Sequence, residues 1–153
     1  PSSAASDVYK RQVLEDIEAI RRLKFRYASL CDYGYQADEL ATLFTTDAVW
    51  EAGEPWGNFV GPAEIRDFFL TMPERVTFAV HALSNGQIDI EGSNAKASWR
   101  TIIPASFIDG DQNKPHWMFC DYEDTYEKVS GTWLFSRVIV RVSHTFAHAD
   151  GWQ

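Results

Sequence analysis

Helices first and strands after them predict an α+β fold, with the helices on one face of a curved antiparallel sheet. Three observations carry that prediction. Apolar residues recur at helical spacing up to Asp32, five segments beyond Thr77 read as strands, and turn-forming residues separate those strands. With 153 residues the chain suits one domain and can bury a sizeable core.

The first helix is expected over Val13 to about Asp32. Ile17, Ile20, Tyr27 and Cys31 form its apolar stripe, Leu23 and Leu30 widen it, and Gly34 is placed to end it. Asp38-Glu39 opens a short second helix with acids in its first turn and Leu40, Leu43 and Phe44 inside. Thr45-Thr46-Asp47 reads as a turn, Ala48 to Ala52 as a strand, and Gly53 to Gly57 as a loop around Pro55. Phe59-Val60 reads as a second strand. Gly61-Pro62 then starts a third helix, with Pro in the first turn and Ile65, Phe68 and Phe69 buried. The strands of the second half are Phe78 to Leu83, Gln87 to Glu91, Ala95 to Ile103, His116 to Lys128 and Thr132 to Thr145. Asn85-Gly86, Gly92-Ser93-Asn94 and Ser130-Gly131 are read as turns, and Asp109 to Pro115 as a longer polar loop.

Composition narrows the function. Hydrophobic residues make up 45% and aromatic residues 14%, which excludes wholesale disorder. Six Trp, six Tyr and ten Phe exceed the needs of a small core and point to an aromatic-lined cavity. A net charge of −8 argues against nucleic acid or an anionic membrane as partner, since both favour basic surfaces. No apolar run approaches the ~20 residues of a membrane span. Cys31 and Cys120 share no metal-type spacing and suggest no disulfide framework, so a reducing, cytoplasmic setting is expected. Residues 1–12, which differ in composition and lack an initiator Met, are expected to be a tail that is no part of the natural fold. The domain is expected over 13–146, with a second tail over 147–153.

Five segments then resemble one family. They are Asp16 to Ile20 with Leu23, Tyr27 and Asp32; Leu43-Phe44-Thr45-Thr46-Asp47-Ala48-Val49-Trp50; Gly61 to Ile65 with Phe68-Phe69; His81 to Asn85 running into Ile88-Asp89-Ile90; and Tyr122 to Lys128 followed by Gly131-Thr132-Trp133. In order and spacing they resemble the SnoaL-like branch of the nuclear-transport-factor-2-like superfamily. The resemblance implies a cone: a bent sheet wrapped around helices over a deep pocket. Among the enzymes of that branch the pattern is most similar to bile-acid 7α-dehydratase, then to hexachlorocyclohexane dehydrochlorinase and scytalone dehydratase. It implies an elimination driven by a His–Asp pair, with Asp32 and His81 as the pair and Tyr27 as the dehydratase tyrosine. Arg141 matches a catalytic arginine. Trp50 stands where those enzymes carry a second tyrosine. The resemblance also implies a homo-oligomer, dimer or trimer, formed through the outer face of the sheet.

The chemistry is coherent with these residue types. Elimination needs a base that titrates near working pH, and imidazole does so. A carboxylate on one ring nitrogen fixes the tautomer and stabilises the imidazolium formed at the other. The plain alternative is an aspartate at a helix end and a satisfied core histidine. Tyr27 either donates to a leaving oxygen or is a core tyrosine on the helix stripe. Arg137 and Arg141 share one face of the last strand, and Arg141 is the expected pocket residue, to steady developing negative charge. Trp50, Trp99, Phe119 and Phe68 are expected to bind a small hydrophobic substrate such as a steroid, polyketide or aromatic ring.

No metal is expected. His144, His148 and Asp150 follow a strand rather than share a helix face, and read as surface residues. The absence of a glycine-rich phosphate loop and of a nucleophile elbow disfavours nucleotide cofactors and acyl-enzyme chemistry, so no cofactor is expected. The reading is a lyase or isomerase. A ligand-binding protein of the same fold, or the small subunit of a ring-hydroxylating dioxygenase, are the alternatives, because fold alone does not choose between them.

Overall fold

The computed structural model of the protein describes residues 3–149. Helix α1 runs over Ser3–Asp32 and α2 over Ala37–Ala41. They are followed by strands β1 (Phe44–Gly53) and β2 (Gly57–Val60), and helix α3 (Gly61–Thr71) with a 3-10 turn at Met72–Glu74. Strands β3 (Val76–Ala79), β4 (Ala82–Glu91), β5 (Asn94–Asp109), β6 (Gln112–Val129) and β7 (Thr132–Ala147) complete the chain. The expected order of helices and strands is the observed one.

The strands form one sheet in the order β2-β1-β7-β6-β5-β3, with β4 also on β5. It is a mixed sheet rather than a purely antiparallel one, because β1 runs parallel to β7 while its other pairings are antiparallel. The sheet is curved and open, and the helices pack into its concave side. The core lies between them, built from Ile20, Tyr27 and Cys31 of α1, Phe68 and Phe69 of α3, and Tyr122, Tyr126, Phe135 and Val138 of the sheet. Gly34, with φ 91, closes α1 where the sequence placed its stop.

The inward line of α1 is less apolar than its sequence suggests. It passes through Asp16, Ile20, Lys24, Tyr27 and Cys31, at steps of three and four residues, so two charged residues lie on it. Each is neutralised by the sheet. Lys128 Nζ stands 2.6 Å from Asp16 Oδ1, and Asp124 Oδ2 stands 2.9 Å from Lys24 Nζ.

Several local expectations are corrected. Thr45 to Asp47 lies inside β1, at a register shift against β7 between Phe44 and Val49. The turn-like signal there is a hydrogen bond from Thr45 Oγ1 to Asp47 Oδ1 at 3.1 Å. Asn85-Gly86 is a bulge inside β4, not a hairpin turn. Gly86 is required by packing: a Cβ there would meet the Trp99 ring at 2.3 Å. The stretch from Asp109 to Pro115 is no loop, because β5 and β6 pair as far as Asp109↔Gln112. The strand expected from Phe78 to Leu83 breaks at Val80-His81. The first helix starts at Ser3, well before Val13, although most of that added length is exposed. Of the segments expected to be tails, residues 1–2 and 150–153 lie outside the described residues.

Candidate active site

Asp32 is the last residue of α1, and its position follows from where that helix stops. His81 sits in the break between β3 and β4. The two strands keep one register on β5, with Ala79 opposite Ala105 and Ala82 opposite Ile102. Val80 N–H donates to the Pro104 carbonyl at 3.1 Å, but Pro104 has no N–H to return the bond. Period-two alternation puts His81 on the same inner face as Ala79 and Leu83.

Helix end and strand break meet at one atom. Asp32 Oδ1 lies 2.6 Å from His81 Nδ1 and accepts the His81 backbone N–H at 2.9 Å. The His81 side chain is 8% exposed and that of Asp32 21%. Nδ1 being engaged, Nε2 on the opposite side of the ring is the nitrogen left for a substrate. His81 lines a chamber of about 60 Å³ together with Tyr27, Trp50 and Phe68. Trp50 Nε1 donates to Tyr27 Oη at 2.8 Å. Burial pushes the Tyr27 hydroxyl well above the usual tyrosine range, so it stays protonated.

Four of the expected residues therefore share the chamber with Asp32 at its back: His81, Tyr27, Trp50 and Phe68. Three do not. Arg141 lies on the outer face of β7, with its side chain 58% exposed and Nη2 3.2 Å from Glu123 Oε2. Phe119 is on the outer face of β6, because Met118, Cys120 and Tyr122 take the inward positions. Trp99 is buried, but under α1, with its ring 6.2 Å from Phe25 and against Gly86.

Other chamber residues were not singled out by the sequence reading, notably Tyr35, Met118, Cys120 and Tyr122. The inward parity of β6 identifies three of them once its register is known. Both cysteines border the chamber as buried thiols. Burial pushes Cys31 far up, and pushes Cys120 up to about 12, so neither is a thiolate nucleophile. Beneath the floor lies the Lys24–Asp124 pair, both side chains fully buried. The ammonium sits 3.6 Å from the centroid of the Tyr122 ring, and Tyr126 Oη donates to Asp124 at 2.8 Å. Burial pushes Lys24 down and Asp124 up, each against the pull of the other.

Among the described residues, no group of three or more His, Cys, Asp or Glu is placed to hold a metal ion. Asp150, considered with His144 and His148, lies outside them. Also among the described residues, no helix is long and apolar enough to cross a membrane.

Comparison with known proteins agrees with this geometry at the level of fold. The SnoaL-like domain family matches residues 12–139. Hexachlorocyclohexane dehydrochlorinase LinA-type3 from Novosphingobium barchaimii is 20% identical, with 94% of this chain and 97% of that chain covered and a TM-score of 0.84. A candidate scytalone dehydratase from Novosphingobium aromaticivorans is 22% identical, over 91% of each chain, with a TM-score of 0.80. An NTF2-like protein with a cystatin-like fold, also from Novosphingobium aromaticivorans, is 21% identical, over 89% of this chain and 87% of that chain, with a TM-score of 0.71. At such identities the likeness establishes a shared fold.

Proposed function

The chain belongs to the SnoaL-like domain family, and from that premise we propose that it is a lyase or isomerase that works by proton abstraction. The observation that carries the reading is the 2.6 Å contact between Asp32 Oδ1 and His81 Nδ1 at the wall of an apolar chamber. In this reading His81 Nε2 takes a proton from a carbon next to an activating group. The C–H electron pair becomes the new double bond, and the leaving group departs from the neighbouring carbon. Asp32 orients the ring and stabilises the imidazolium. Tyr27, whose oxygen already accepts from Trp50, keeps its own O–H to donate to the leaving oxygen. A departing hydroxide leaves as water with the proton held by His81, and the dyad is restored.

Relatives named as dehydrochlorinase and dehydratase support elimination as the reaction type. The walls of the chamber, Trp50, Phe68 and Met118 among them, suit a hydrophobic reacting end. A screen of hydroxy-steroid and polyketide ketones, followed by ultraviolet absorbance of the new conjugated double bond, tests the reading. Turnover by the wild type should fall by about 10²–10⁴-fold in His81→Ala. Turnover that survives this substitution rules out His81 as the base.

A further inference from the structure

Two spaces meet at one wall. The chamber beside His81 measures about 60 Å³, and the cleft outside it about 1020 Å³. Trp56, Phe107 and Met118 border both. A volume of about 60 Å³ holds a few water molecules, well short of a drug-sized ligand. A substrate therefore inserts only its reacting end, and the rest of it lies in the cleft. Met72 and Met118, unbranched and polarizable, are the lining side chains best able to yield to that end.

The charges of the cleft are satisfied with one exception among the cations. Lys114 pairs with Asp109, Arg141 pairs with Glu123, and Glu51 is held by Arg137. Arg75 is half-buried and lines the same cleft, yet makes no ion pair and no side-chain hydrogen bond among the described residues. Its guanidinium carbon lies 4.8 Å from the centroid of the Trp56 ring, on the wall common to both spaces. Its backbone is fixed, with its N–H donating to the Met72 carbonyl at 2.9 Å and its carbonyl accepting from Ile108 N–H at 2.9 Å. A guanidinium stacked on an indole keeps its N–H edge free for a planar oxyanion.

We propose that Arg75 is the specificity determinant of this site, binding the carboxylate of an elongated substrate whose opposite end reacts at His81. The proposal rests on the elimination reading for the identity of the reacting end. The chain from Arg75 to His81 runs near-extended along β5, which puts the two Cα atoms roughly 15–20 Å apart, at ~3.3 Å per residue. The carboxylate is thus remote from the reacting carbon, as in a molecule of two or more rings, and does not activate it. Glu54 and Glu74 reach the same rim, exposed to water and not paired with Arg75. They disfavour a second negative group, so the substrate carries one.

The test is isothermal titration of biphenyl-4-carboxylate and its neutral analogue biphenyl-4-carboxamide into wild type, Arg75→Gln, Arg75→Lys and His81→Ala. Wild type should bind the carboxylate at least about tenfold tighter than the amide. Arg75→Gln should bring the two within about twofold, with amide affinity unchanged, while Arg75→Lys retains part of the preference. Equal affinities in the wild type, or no binding of the carboxylate, overturn the proposal without reference to any variant. So does a full preference in Arg75→Gln that melts like the wild type. His81→Ala should keep the preference while losing turnover. Anion selection and proton abstraction can therefore fail separately.

Discussion

Trp50 Nε1 donates to Tyr27 Oη across 2.8 Å inside the wall of the chamber, so one lone pair of the phenolic oxygen is spent on the indole. Removing that oxygen has two effects. Tyr27→Phe strands a buried indole N–H, which costs roughly 1–3 kcal/mol. It also removes the proposed donor to the leaving oxygen, which should lower kcat by about 10²-fold with little change in KM. Trp50→Phe frees the tyrosine oxygen without removing it. Denaturant melts and steady-state kinetics on both variants separate the stability effect from the catalytic one.

Asp32→Asn preserves shape and can keep accepting the His81 backbone N–H, but it no longer offers a negative charge to the ring. Turnover should fall by about 10²–10⁴-fold, with folding largely retained. The check is kcat/KM on the substrate found by the screen, alongside a circular dichroism melt. Activity within about threefold of wild type would remove the carboxylate from the mechanism.

The Lys24–Asp124 pair should show the asymmetry of buried charge. Either Lys24→Met or Asp124→Leu alone leaves an uncompensated charge in the core and should destabilise by about 3–5 kcal/mol. The double variant should recover most of that loss, because desolvation already pushes each partner toward its neutral form. Urea unfolding of the four proteins closes the cycle. Equal and additive losses would mean that the pair is not coupled.

Asp16 sets a pH dependence. Burial works to raise its carboxyl, but the hydrogen bonds from Lys128, Trp133 and Gln12 and the Lys128 charge outweigh it and hold the group below its ordinary value of 3.8. A lowered folded pKa means that the unfolded chain binds the proton first, so this stabilisation is complete at neutral pH and fades as pH falls below the ordinary carboxylate range. Wild type should lose stability more steeply than Asp16→Asn between about pH 5 and pH 3, while Asp16→Asn starts roughly 1–3 kcal/mol lower at pH 7. Parallel curves would contradict this assignment.

Helix spacing and the order of apolar segments made most elements legible, whereas the Asp32–His81 pair was implied by the family resemblance alone. What was not legible turns on face and register. Around Phe119 the sequence reads Trp-Met-Phe-Cys-Asp-Tyr, apolar on both faces of the strand, so alternation cannot say which side is inner. Arg141 fails for a related reason, since β6 and β7 shift register twice and the arginine ends on the outer face. Asn85-Gly86 carries the composition of a hairpin turn, but the glycine answers to a ring from the next strand. Asp16 and Lys24 look like surface charges until strands a hundred or more residues away supply their partners.

The double hold of Asp32 on His81 has a further consequence. At that point β3 and β4 form a border of the sheet, and the N–H of His81 faces away from β5 toward the helix end. The carboxylate thus seals an open margin where another chain could add a strand. Replacing it with alanine would disarm the ring and unseal that margin in one step. Attempts to recycle this scaffold for new chemistry would then meet self-association before they meet lost turnover, unless another acceptor is supplied for the same amide.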